Sequence, residues 1–314
     1  ITIFGFSLTL FVLAAGGILL WGFVTWQRHR EATNRDPLVH LSLARIPPVR
    51  SGLIGMFSQN LVLMGIFFVV PLYLQLVLGL SALETGIRML PISITMFATA
   101  AIGSRLSNRF PVRAIVQSGL IVTLAGALIL LATIKPALSS AGFAVGMAVL
   151  GVGMGLMISQ LGNVVQSSVE ESGRSEAGGL QYTGQQLGSS LGVALIGSIV
   201  LIGLTSTFIS NVEHDPRISA DVSAQVGVAA GSNTNFVSSA QIDAAAKKAG
   251  LDATTTAALV DDYESAQLRS LKAGLLAAAL LALISLGFTR ELPHERPAPP
   301  DQSCSRGGAH LSPG

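Results

Sequence analysis

A long stretch without charged residues, residues 51–83, constrains this chain more than any other feature. It contains no Asp, Glu, Lys or Arg, and six further stretches of the sequence resemble it. A helix rises about 1.5 Å per residue, so each stretch is long enough to cross a hydrocarbon core roughly 30 Å thick. Backbone polar groups in lipid must be bonded within the segment, which favours helices. The sequence therefore predicts an all-α polytopic membrane protein with seven transmembrane helices.

The composition and the number of spans further restrict the class of protein. Half of the residues are hydrophobic and 11% are charged, against roughly 25% charged residues in soluble domains. An odd number of spans, with the first beginning at residue 1 without a leader, favours the second half of a larger protein. The predicted spans are residues 3–26, 53–78, 85–102, 114–134, 142–165, 178–204 and 273–288.

The charges of the loops predict the orientation. Five arginines lie between the first two spans, and three more follow the third span without an acidic residue. Because basic loops stay in the cytoplasm, both are placed there. Residues 210–268, with eight acidic and three basic residues, are then external. Helices are predicted there at 239–249 and 254–269, with N-caps at Ser238 and Asp252. The second helix is expected to continue into the last span.

This orientation divides the chain into four predicted parts within the plasma or inner membrane. They are a linker transmembrane helix (1–27), a cytoplasmic loop (28–50), a six-helix bundle (51–290, including the external loop 210–268) and a disordered cytoplasmic tail (291–314).

The sequence gives little support for an enzyme active site or a metal site. The only cysteine, Cys304, lies in the polar tail, which excludes an intrachain disulfide and a cysteine-based metal site. The histidines fall in loops or the tail, and no span carries an aspartate pair or a Ser/His arrangement. No span carries a buried carboxylate of the kind that couples proton movement. We expect no enzyme activity, no metal or cofactor and no nucleic-acid partner.

Polar side chains at membrane depth are mostly amides. Such groups are costly in lipid and are expected to face an interior or a water-filled cavity. Two interpretations stay open: hydrogen bonding between helices, worth about 0.6 kcal/mol per pair, and the wall of a cavity for a mostly apolar ligand. The candidate cavity residues are Gln59, Asn60, Tyr73, Gln75, Met89, Met96, Asn163, Gln181 and Gln185.

Glycines recur every four residues in two spans. This spacing lets helix backbones approach closely. Static packing and helices that slide during a conformational change are both compatible with it. The candidate packing residues are Gly151, Gly155, Gly184, Gly188 and Gly192.

Several short motifs follow one another in a specific order. They are Pro-Leu-Tyr-Leu-Gln (71–75), Thr-Gly-Ile-Arg-Met-Leu-Pro (85–91), Gly-Val-Gly-Met-Gly-Leu (151–156), Asn-Val-Val-Gln (163–166), Gly-Gly (178–179), Gln-Gln-Leu-Gly (185–188) and Gly-Val-Ala (192–194). In this order they resemble the fourteen-span drug/proton antiporters of the major facilitator superfamily. The resemblance covers most of residues 50–205.

The resemblance implies a fold and a function. Such proteins have two six-helix halves with two extra helices between them. This chain resembles the second extra helix followed by the C-terminal half. The implied function is proton-coupled efflux of amphipathic or lipophilic drugs by alternating access, with the proton gradient as energy source. The implied partners are the substrate, the lipid bilayer and an N-terminal half that carries the coupling carboxylate.

Residues 104–113 resemble a degenerate copy of the cytoplasmic gating loop of this superfamily. Ser104, Asn108 and Pro111 replace Gly, Asp and Gly of the family pattern. A plain basic turn is the open alternative. The candidate gating residues are Leu106, Asn108, Arg109 and Arg113.

Other functions remain open at this point. Members of the same family export lipids, amino acids, peptides or siderophores, and nothing in the sequence separates these from drugs. A seven-span receptor or a structural membrane subunit matches the predicted topology. An intramembrane enzyme ranks last, because no span carries a catalytic arrangement.

Overall fold

A computed structural model describes residues 2–3, 6–33, 35, 40–107, 109–135, 140–232 and 236–288. The predicted tail and Asn108 lie outside these residues. Two short strands, Thr2–Ile3 and Phe6–Ser7, pair antiparallel at the start. The α-helices of the described residues are α1 (Leu8–Ala32), α2 (Pro47–Leu72), α3 (Ala82–Leu106), α4 (Val112–Thr133), α5 (Ser140–Ser167), α6 (Arg174–His214), α7 (Ala220–Ser232), α8 (Ser239–Lys248) and α9 (Ala253–Phe288).

The predicted fold class is confirmed. Seven helices of the described chain are long and apolar enough to cross a membrane. The largest differences from the predicted bounds lie at α6 and α9, which have 41 and 36 residues and continue beyond the predicted spans. As expected, the second external helix and the last span form one helix, α9. At the end of α2, Pro71 precedes a π-helical turn, Tyr73–Val77, because proline removes a backbone donor from the helix.

The six membrane helices that follow α1 pack as two groups of three. One group consists of α3, α4 and α5, and the other of α2, α6 and α9. Contacts of α2 with α5 and of α4 with α9 join the groups. A buried apolar cluster runs through this junction and includes Ile66, Met147 and Ile196. The six helices therefore share one core.

Glycines lie where helices cross most closely. A Cβ on Gly188 or Gly192 of α6 would overlap the backbone carbonyl of Phe57 or Leu61 on α2. On α5, a Cβ on Gly151 or Gly155 would overlap backbone and threonine side-chain atoms of α3. Gly184 differs from these, because its Cβ would lie 3.7 Å from the carbonyl oxygen of Leu53, an ordinary contact. These crossings hold α6 on α2 and α5 on α3.

The segment between the sixth and seventh membrane helices is folded. The end of α6, the start of α9, and α7 and α8 share an apolar cluster in which Phe208 and Tyr263 meet edge to face at 5.2 Å. The Tyr263 hydroxyl also bonds the backbone of Val237 ahead of α8. Both predicted N-caps are present: Ser238 forms a capping box, and the Asp252 carboxylate accepts from two backbone N–H groups of α9. We call this unit the helical cap.

Candidate substrate-cavity wall

Among the described residues, α3 and α6 of the six-helix bundle each expose a large apolar surface, as α9 and the preceding helix α1 also do. On α3, exposed side chains recur at helical spacing and form one stripe. They are Leu83, Ile87, Leu90, Ile94 and Phe97. On α6, Leu187, Leu191 and Leu195 are exposed on one side, while Gly188 and Gly192 on the adjacent side contact α2. The bundle therefore covers only one side of α3 and of α6.

Polar side chains from three helices meet beside the exposed side of α6. The Gln166 Nε2 of α5 donates to Gln181 Oε1 of α6 at 3.0 Å. The Gln181 Nε2 donates in turn to the Gly162 carbonyl of α5 at 3.0 Å. These two bonds tie the end of α5 and the start of α6 to each other, at the side of the bundle that the predicted orientation assigns to the cytoplasm.

The same face of α6 continues toward α2. One turn beyond Gln181, the Gln185 Nε2 lies 3.9 Å from the Met56 Sδ. One turn further, the Ser189 hydroxyl donates to Asn60 Oδ1 at 3.5 Å. All of these side chains except Met56 are half-buried, so they remain partly accessible. We call Gln166, Gln181, Gln185, Ser189 and Asn60 the amide row.

Two predicted cavity residues lie in the interior of the bundle instead. Gln59 is buried and its Nε2 donates to the Met154 carbonyl at 3.4 Å. Tyr73 is fully buried, and its hydroxyl donates to the Lys135 carbonyl at 2.7 Å. Their polar groups pair with backbone across helices and do not face an open side. We therefore correct the prediction that Gln59 and Tyr73 lie on a cavity wall.

The remaining predicted cavity residues are dispersed. Gln75 is exposed in the π-helical turn, and Met89 and Met96 are half-buried against the main apolar cluster. Asn163 is exposed and its Nδ2 donates to the Ser159 carbonyl of its own helix at 3.3 Å. Sequence reasoning missed Ser189, although its spacing of four residues from Gln185 marks the same helix face.

The predicted gating loop forms a tight turn between α3 and α4. Backbone bonds from Arg109 and Phe110 to the Leu106 carbonyl, both 3.0 Å, close this turn. Leu106 and Arg113 are half-buried and Arg109 is exposed. The contact of Asn108 lies outside the described residues.

The single charged residue within a predicted span has a hydrogen-bond partner on a neighbouring helix. Arg88 of α3 donates from Nη1 to the Ser140 hydroxyl of α5 at 3.4 Å. Glu84, four residues earlier, instead completes a capping box with Ser81 at the start of α3. Arg88 thus joins the first half of α3 to the start of α5 rather than lining the amide row.

Comparison with known proteins decides the family. The family model of the Major Facilitator Superfamily matches residues 1–193. The chain belongs to the Major Facilitator Superfamily. It is a multi-pass membrane protein of a transporter family, which confirms the resemblance predicted from its motifs and does not favour the receptor interpretation.

Its relatives in the Major Facilitator Superfamily carry names of exporters and resistance proteins. The chain is 32% identical over 202 residues to a probable actinorhodin transporter of Streptomyces coelicolor, covering 62% of this chain and 35% of that protein. It is 26% identical over 281 residues to the multidrug efflux pump LfrA of Mycolicibacterium smegmatis, covering 88% of this chain and 52% of that protein. The chain thus spans about a third to a half of these relatives.

A third relative is closer in length. The tetracycline resistance determinant of Streptomyces rimosus is 25% identical over 315 residues, covering 96% of this chain and 87% of that protein. The similarity therefore extends through the helical cap and α9, beyond the part matched by the family model.

Proposed function

We propose that this chain forms one half of a secondary transporter that exports amphipathic or lipophilic small molecules, driven by inward proton flow. The names of its relatives support efflux of drugs or antibiotics as the activity. The first two of these relatives extend well beyond the aligned region, which supports a requirement for a second six-helix half. The exposed sides of α3 and α6 are the surfaces that would face that half.

The observation that carries the proposal is the amide row beside the exposed side of α6. Small-molecule sites combine mostly apolar walls with a few placed polar groups. Amides from α2, α5 and α6 supply the polar groups, and the exposed leucines of α6 supply apolar surface. This combination suits a ligand with a large apolar body and a few hydrogen-bonding groups.

A cavity shared by two halves would allow transport by alternating access. Rocking of the halves about a midplane site would expose the amide row to each side of the membrane in turn. The predicted spans of this chain hold no carboxylate, so the proton carrier belongs to the complementary half. The basic residues of segment 28–50 and of the α3–α4 turn support a cytoplasmic position for both, which would leave the helical cap outside.

Substitution of the amide row tests the proposal. In the two-half transporter, Gln181→Leu and Gln185→Leu should raise the KM for export about two- to tenfold, the loss expected for one hydrogen bond to the ligand. Gln225→Leu, at an exposed amide of α7, is the matched control and should leave KM unchanged. Equal KM values for the wild type and both α6 variants would contradict a substrate site at the amide row.

A further inference from the structure

We refer to residues 40–46, between α1 and α2, as the α1–α2 linker, and these residues make a polar contact with the start of α6. The His40 backbone N–H donates to Glu176 Oε2 at 2.6 Å. The His40 Nδ1 lies 2.9 Å and 3.0 Å from the two carboxylate oxygens of Glu176. Three contacts from one residue thus converge on one carboxylate, 136 positions further along the chain.

The carboxylate is also well placed on its helix. Glu176 lies in the first turn of α6, where a negative charge interacts favourably with the helix dipole. It is the less exposed member of the pair, with 22% side-chain exposure against 47% for His40. Partial burial of the carboxylate reduces the screening of this polar contact by solvent.

The same linker is bonded to the end of α1. The Ser42 backbone N–H donates to the Glu31 Oε1 at 3.3 Å, and Glu31 belongs to the last turn of α1. The residues from His40 to Ser42 therefore connect the last turn of α1 to the first turn of α6.

An apolar contact lies beside the polar one. Leu43 and Ile46 of the linker pack against a small buried apolar cluster that is separate from the main one. The cluster takes one residue each from α2, α5, the α5–α6 connection and α6: Val49, Val165, Val169 and Ala177. The linker thus covers the junction at which α5 ends and α6 begins.

This junction carries one end of the amide row. Gln166 lies next to Val165 at the end of α5, and Gln181 lies one turn beyond Ala177 on α6. The hydrogen bond between these glutamines, 3.0 Å long, ties the two helices at this point. Any shift of the α6 start relative to α5 would change this bond first.

We propose that the α1–α2 linker is a clasp that positions the cytoplasmic ends of α5 and α6, with His40 as a positioning residue acting through Glu176. The consequence for export rests on the proposed function, whereas the clasp itself is a property of this chain. An extra helix ahead of the bundle would in this way be coupled to the wall of the cavity.

A distance measurement tests the clasp without transport. In a Cys304→Ser background, spin labels at the exposed positions Ser42→Cys and Ser175→Cys report the separation of the linker from α6 in lipid nanodiscs. We expect a narrow distribution that His40→Ala and Glu176→Ala broaden and His40→Arg keeps narrow. Combining the two alanine substitutions should broaden it no further, because both remove the same contact. Glu171→Ala, at an exposed residue of the same junction, is the control.

A transport measurement tests the positioning role. In the two-half transporter, His40→Ala should change kcat by about two- to fivefold, the range that a partly exposed side-chain contact to a carboxylate gives, and leave KM unaltered. His40→Arg should restore kcat. The proposal would be overturned by an unchanged distance distribution in His40→Ala or by equal broadening in Glu171→Ala. An unchanged kcat in His40→Ala would also overturn it. A wild type without any export would refute the proposed function, while the distance measurement would still decide the clasp.

Discussion

The close crossing of α2 and α6 gives the sharpest stability prediction. A Cβ on Gly192 would lie 2.9 Å from the Leu61 Cα and closer still to its carbonyl oxygen. Because carbon atoms pack at about 3.5 Å or more, Gly192→Ala requires the helices to separate by roughly 0.6 Å. Overpacking of this kind costs about 1–3 kcal/mol. Gly188→Ala, at the Phe57 crossing, should cost a similar amount.

Gly184→Ala is the matched control on the same helix. Its Cβ would make an ordinary contact, 3.7 Å from the Leu53 carbonyl oxygen, and alanine gains about 0.5–1 kcal/mol over glycine within a helix. We therefore expect the melting temperature of purified protein to fall by several degrees in Gly192→Ala and to stay level or rise in Gly184→Ala. The assay is the loss of the monodisperse peak on heating, at one heating rate because unfolding in detergent is irreversible. Equal melting temperatures for the two variants would refute the close-crossing argument.

Three further predictions concern single contacts. Tyr73→Phe removes the bonds to the Lys135 backbone and should destabilise the bundle by about 1 kcal/mol, seen as a lower melting temperature; an unchanged value would contradict the role of this hydroxyl. The Arg217 guanidinium lowers the pKa of Asp215. This pair therefore stabilises the helical cap at pH values above the ordinary aspartate pKa, and the stabilisation is lost as the pH falls through the lowered pKa of Asp215. Asp215→Asn should therefore speed hydrogen exchange of α7 at neutral pH and have no effect in strong acid, whereas an effect of equal size at both would contradict the assignment. Gln267→Leu removes the 2.7 Å bond to the Val237 carbonyl and should speed exchange in α8; unchanged exchange there would exclude this anchor.

Much of the membrane fold follows from the sequence because the bilayer imposes a simple rule. Charge-free stretches of sufficient length become spans, and the glycine spacing of α6 marks a close helix crossing. The caps at Ser238 and Asp252 were predictable because side-chain oxygens there accept backbone N–H groups. The α7 helix was not predicted, since its Ala-, Ser- and Gly-rich sequence carries only a weak helical signal.

The cavity wall was harder to predict than the spans. A helix that is apolar on all sides does not show in its sequence which side meets its neighbours. Gln59 and Asn60 illustrate this, because adjacent amides point to the bundle interior and to the amide row, respectively. Tyr73 was misplaced for the same reason. The linker contact between His40 and Glu176 joins residues far apart in sequence, and no local pattern indicates it.

Export by reconstituted vesicles tests the central claim most directly. Inverted vesicles would contain either residues 1–314 alone or this chain co-expressed with a complementary six-helix half from a relative. A fluorescent amphipathic dye would be added outside these vesicles, and an acid-inside proton gradient would drive its uptake. The account predicts dye movement only when both halves are present, and its loss when the gradient is collapsed. Proton-dependent movement of dye by residues 1–314 alone would contradict it.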